Sequence, residues 1–67
     1  MAEKVYKKVR VVGCSQKSYE EAIRVAISKT ASSVHNLAWW EVVEQRGAVS
    51  GDRLEFQVTI DVAFKVD

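Results

Sequence analysis

Residues 53–66 alternate apolar and polar side chains almost without interruption. Leu54, Phe56, Val58, Ile60, Val62, Phe64 and Val66 are apolar. Arg53, Glu55, Gln57, Thr59, Asp61 and Lys65 are polar, and Ala63 is the one small residue in their register. Successive strand side chains point to opposite sides, so the pattern predicts one long strand whose even-numbered face is buried. At ~3.3 Å per residue this stretch spans roughly 46 Å. A compact globule of this chain length has a radius of gyration of about 11 Å, hence a diameter of about 28 Å. The strand therefore either bends sharply around its own domain or runs out onto a neighbour.

At 67 residues the chain is expected to form a single domain, residues 1–67. Folding at this size buries only about 60% of the unfolded surface, and the core rarely supplies more than ~3–5 kcal/mol. Small folds add disulfides, a metal or oligomerisation. Cys14 is the only cysteine and His35 the only histidine, so no internal disulfide forms and no ligand pair has a metal spacing. Oligomerisation is the remaining stabiliser, and a 48% hydrophobic composition supplies apolar surface for it.

Ten Lys/Arg against nine Asp/Glu leave a net charge of +1, which argues against nucleic acid or an acidic membrane as the main partner. The basic cluster Lys4, Lys7, Lys8 and Arg10 fits a solvated edge strand, where lysine discourages unwanted pairing, or a ligand-phosphate contact. No apolar run approaches ~20 residues and no signal-peptide core is visible. The expectation is a soluble, cytoplasmic protein.

Val5–Val12 reads as a first strand and Gly13–Lys17 as a turn. Ser18 reads as a helix N-cap, with Glu21 completing a capping box and Glu20 and Glu21 favoured by the helix dipole. Tyr19, Ala22, Ile23, Ala26, Ile27, Thr30, Ala31 and Val34 form a helical stripe ending near His35-Asn36, where Asn36 suits a left-handed cap. Trp39–Arg46 reads as a second strand and Gly47–Asp52 as a hairpin connection. A helical crossover makes the first two strands parallel in direction. Placing the third between them makes every neighbouring pair antiparallel. The expected fold is α+β: a β-α-β-β protomer with a three-stranded antiparallel sheet, order 1-3-2, wrapped around one helix.

No Ser/His/Asp or Cys/His arrangement, glycine-rich phosphate loop or carboxylate dyad is present, so an enzyme is not expected. The unusual feature is the adjacent pair Trp39-Trp40. Parity sends Trp40 with Val42 to the core and Trp39 with Glu41 to the other face, which Gln57 and Thr59 share. An uncovered tryptophan costs on the order of a few kcal/mol. A partner subunit would cover it, and so would a flat aromatic ligand stacked on the indole with the Gln57 amide on its polar edge.

The run Asn36-Leu37-Ala38-Trp39-Trp40-Glu41-Val42-Val43-Glu44-Gln45-Arg46-Gly47 resembles the signature of the dodecins, small flavin-binding proteins. Val5-Tyr6-Lys7-Lys8-Val9, Gly13-Cys14-Ser15, Ser18-Tyr19-Glu20-Glu21-Ala22-Ile23, Phe56-Gln57-Val58 and Ala63-Phe64-Lys65 extend the likeness along nearly the whole chain. The resemblance implies a homododecameric shell that stores or sequesters a flavin (FMN, riboflavin or a lumichrome-like ring) and quenches it. It further implies that Trp39 stacks on the ring, that Gln57 bonds its pyrimidine edge and that Arg46 lies nearby. Tyr6 and Lys4 are looser candidates for an FMN phosphate. The alternative is a structural shell that binds another nucleotide such as coenzyme A, or no ligand. Cys14 stands where the family has threonine and Trp40 where it has phenylalanine. By parity, neither is expected to reach Trp39 or Gln57.

Overall fold

The computed structural model of the chain describes residues 3–67. The elements are β1 (Tyr6–Ser15), α1 (Tyr19–Ala31), β2 (Leu37–Ser50) and β3 (Arg53–Lys65). The sheet order is β1-β3-β2, with β3 antiparallel to both neighbours. Fold class and strand order are as the sequence predicts.

Helix α1 starts where the Ser18 hydroxyl accepts a hydrogen bond from the Glu21 backbone N–H at 3.0 Å. It stops at Ala31, short of the expected His35-Asn36. Ser32 ends it by turning its hydroxyl onto the Lys29 carbonyl at 2.6 Å, a local bond that competes with further helix. Asn36 does take the left-handed conformation, φ 64°, but it opens β2 instead of capping α1.

The helix packs on β1 and β3. Ala22 and Ala26 of α1 are buried against Val58, Ile60 and Val62 of β3, with Val9 and Val11 of β1 alongside. Gly13 makes this approach possible. It is not a turn residue as the sequence suggested, because β1 continues through Gly13 to Ser15. A Cβ on Gly13 would run into the Ala22 carbonyl oxygen and come within 2.9 Å of the Ala26 Cβ. Small residues on both sides bring the helix down onto the sheet.

The β2–β3 hairpin also differs from expectation. β2 runs on to Ser50, so only Gly51 and Asp52 connect the strands, with Ser50 paired to Arg53. Gly51 has φ 63° and Asp52 does not have a positive φ, the pattern of a type II′ turn. Gly47 is a strand residue facing Phe56. The long hairpin projects from the body: the molecule measures 55 × 20 × 14 Å, with a radius of gyration of 13.9 Å against about 11 Å for a compact chain. Of the two options for the over-long strand, it runs outward. Val49 and Leu54, paired near the tip, are 77% and 57% exposed.

Trp40 is a correction. It faces the helix side as parity required, pairing with the buried Val62, yet it is 47% exposed. Helix α1 lies over β1 and β3, and beyond Leu37, which packs against the core, it leaves the inner side of β2 only partly covered. Trp40 and Gln45 form one wall of a groove of about 820 Å³, and Tyr19, Ile23 and Ile27 of α1 form the other. The core expected of Trp40 is not supplied by its own protomer.

Replacing Gly13 with Ala should destabilise the fold by about 1–3 kcal/mol or more, because the overlap is with backbone, which cannot rotate away. A thermal or denaturant melt checks this, and an unchanged midpoint would mean the strand and helix separate at little cost.

Candidate functional site

The site candidates lie on the face of the sheet opposite α1. Strict alternation does not place all of them there, because β2 is irregular at two points. The register with β3 skips Ala38 and Val43. Before Val43 the outward residues are odd: Trp39 pairs with Ala63, and Glu41 with Asp61. After it they are even: Glu44 pairs with Thr59, Arg46 with Gln57 and Ala48 with Glu55. An unbroken parity would have put Arg46 on the helix side with Trp40. The extra residue at Val43 returns it to the side of Gln57.

Two clusters result. In the first, the Trp39 ring meets the Tyr6 ring with centroids 4.9 Å apart and planes at 59°. The Trp39 indole N–H donates to Glu41 Oε2 at 3.1 Å, and Lys8 Nζ donates to both Glu41 oxygens at 3.0 Å. Ala63, flanked in register by Lys8 and Trp39, is fully buried beneath them. Its single methyl leaves room for Lys8 to reach over the central strand. The indole is thus held from two sides yet remains 41% exposed. One row on, Arg10 forms a two-bond pair with Asp61 at 2.7 and 3.1 Å.

In the second cluster, Arg46 Nε donates to Gln57 Oε1 at 2.6 Å, and Gln57 Nε2 donates to Glu55 Oε1 at 2.7 Å. Cys14 of β1 is the register partner of Gln57 on the other side. This overturns the expectation that Cys14 stays clear of Gln57. Because β1 does not turn at Gly13, the cysteine sits in the ladder beside it.

Of the expected residues, the structure groups Tyr6 with Trp39 and Arg46 with Gln57. Lys4 is exposed and precedes β1, outside both groups. The groups are well separated. Between Gln57 and Ala63, the partner of Trp39, the six-residue offset on β3 spans roughly 20 Å. One stacked heterocycle does not reach both within a chain. Neither Glu41, which parity places on the face of Trp39, nor Glu55 is among the site residues the sequence predicts. Each lies two residues from the side chain it bonds, on the same strand face, and that i, i+2 spacing is the signal that marks them.

Hydrogen bonds from Lys8, and then from Trp39, hold the Glu41 carboxyl below the usual carboxylate range. The Arg10 hydrogen bond does the same for Asp61, and Asp61 in turn raises Arg10. No group of three His, Cys, Asp or Glu side chains suited to a metal occurs among the described residues. Among the same residues, no helix is long and apolar enough to cross a membrane.

The dodecin family model matches residues 5–67. The chain belongs to the dodecin family. The dodecin of Thermus thermophilus is 38% identical over 65 residues, covering 96% of this chain and 94% of the relative. The solved dodecin of Streptomyces davaonensis superposes with a TM-score of 0.93 at 36% identity, covering 98% of both chains. A Mycobacterium tuberculosis structure, described as a calcium-chelating antigen and calcium dodecin, matches with a TM-score of 0.85 at 30% identity over 94% of this chain and 91% of that one. Dodecin membership suggests oligomeric assembly, which accords with the exposed apolar hairpin and the open groove beside Trp40.

Glu41 and Asp61 have depressed carboxyl pKa values in the fold. Their contribution is complete above the unfolded carboxylate range and is lost as pH falls through the depressed folded values. On acidification, Trp39 should lose its charged acceptor below the ordinary carboxylate range, as protonation removes the Glu41 charge and its pairing with Lys8. In a Trp40→Phe background, Trp39 emission followed against pH should show this transition, and Glu41→Gln should abolish it. A transition that survives Glu41→Gln would assign it to another group.

Proposed function

We propose that this chain binds a flavin and holds it without turning it over, in a closed homododecamer. The observation that carries the reading is the Trp39 indole. It is tethered by Glu41, backed by Tyr6, and still presents a large exposed aromatic surface. Holding an indole still in advance lowers the entropy lost when a ring stacks on it. The Gln57 amide, with a donor and an acceptor on one group, suits the polar edge of such a ring. Arg46 adds charged donors beside it.

The roughly 20 Å between the two clusters makes the site a composite: the stacking surface comes from one protomer and the amide from another. That fits a chain whose hairpin extends past its own core. Stacking on an easily oxidised indole also gives an excited flavin a fast electron donor, so bound flavin should be dark. This suits storage or sequestration of riboflavin, FMN or a related ring. Calcium chelation, named for the M. tuberculosis relative, has less support in this chain. Glu41 and Asp61 form the acidic register pair on this face, and Lys8 and Arg10 already occupy them.

Titrating riboflavin into the purified oligomer tests the reading. Wild type should quench it. Trp39→Phe keeps a stacking ring and should lose more quenching than affinity. Gln57→Ala should cost roughly 1–3 kcal/mol of binding. Bright bound riboflavin, or unchanged affinity in both variants, would overturn the flavin site. Sedimentation should give one dodecameric species at micromolar concentration, and Leu54→Asp at the projecting hairpin should shift it toward smaller species. A stable monomer or dimer in wild type would overturn the shell.

A further inference from the structure

The Gln57 amide is bonded at both ends, and the two partners make opposite demands. Arg46 Nε can only donate, and it takes Oε1 at 2.6 Å. The Glu55 carboxylate, when ionised, can only accept, and it takes Nε2 at 2.7 Å. Both demands select the same orientation of a group whose two ends are nearly identical in shape. Each end keeps one free valence: a lone pair on Oε1 and an N–H on Nε2. With the one Nε hydrogen given to Oε1, the terminal N–H groups of Arg46 supply the first donor, and from Arg46 toward Glu55 the row offers donor, acceptor, donor. An imide edge, C=O, N–H, C=O, is the complement of that order. With the amide turned over, the row would read donor, donor, acceptor, and the imide N–H would face another N–H.

We infer that Glu55 is a positioning residue that locks the Gln57 amide in the orientation that reads an imide edge, making it a determinant of ligand specificity. The inference rests on the flavin reading above, because the flavin ring carries such an edge. Glu55 need not touch the ligand. Its acceptor is satisfied by Gln57, and its effect is to exclude the wrong rotamer.

The test compares riboflavin with N3-methylriboflavin, which keeps the ring and both carbonyls but lacks the central N–H. Wild type should prefer riboflavin by about 10-fold or more, the value of one well-made hydrogen bond in a partly buried site. Glu55→Gln can still accept from Gln57 and should keep that preference within a few-fold. Glu55→Lys can only donate. It should lower riboflavin affinity by about 10-fold and leave N3-methylriboflavin nearly unchanged, so the preference collapses. Riboflavin is uncharged, so the added lysine charge does not itself account for such a change. A Glu55→Lys protein of unchanged oligomer size that keeps the wild-type preference would overturn the positioning role and leave the flavin reading standing. Equal loss of both ligands in Glu55→Lys would also overturn it, by showing a structural effect. No uptake of riboflavin by wild type would overturn the flavin reading, and this inference with it.

Discussion

The absence of one side chain sets how the helix meets the sheet. Gly13 lets the α1 backbone come down onto β1, and Ala22 and Ala26 are small enough to meet it. The helix is thereby seated over β1 and β3. At 13 residues it is about 20 Å long, while β3, also 13 residues, extends to roughly twice that because a strand rises more than twice as far per residue. The core is accordingly narrow: Val58, Ile60 and Val62 of β3 under the alanines of α1. The remaining apolar surface, from Trp40 and Val42 on β2 to Val49 and Leu54 at the hairpin, is only partly covered within the protomer. A fold seated in this way keeps apolar surface open, which accords with the oligomeric assembly that family membership suggests.

The opposite face follows a different rule. Its side chains are held by neighbours on adjoining strands or two residues away, through charged or aromatic contacts over a flat ladder. Trp39 is tied to Glu41, Glu41 to Lys8, Asp61 to Arg10, and Gln57 to both Arg46 and Glu55. Exposed ion pairs of this kind add little to stability. Their effect is on geometry, because each removes rotamers from a side chain that a ligand would otherwise have to order. The same network pairs the Glu41 and Asp61 carboxylates of this face with Lys8 and Arg10.

Much was legible in the chain itself. The period-two pattern of β3, the Ser18 cap and the crossover logic determine the elements, the strand order and the buried face of β3, because they depend on local stereochemistry and on antiparallel pairing. The run from Asn36 to Gly47 identified the family, and parity placed Trp39 and Gln57 on one face. What the chain did not disclose is where alternation breaks and what lies above a given face. The irregularity at Val43 brings Arg46 to Gln57; the adjacent Val42 and Val43 interrupt the alternation there, but which residue is extra is defined only by the partner strand. The continuation of β1 past Gly13 sets Cys14 beside Gln57, and it depends on a helix passing overhead. Trp40 points to the inner side as its parity demands, but direction is a property of the strand, whereas burial depends on where the helix lies. Tertiary structure alone decided that, through the close approach at Gly13, and it left Trp40 half exposed with Trp39 and Gln57 roughly 20 Å apart.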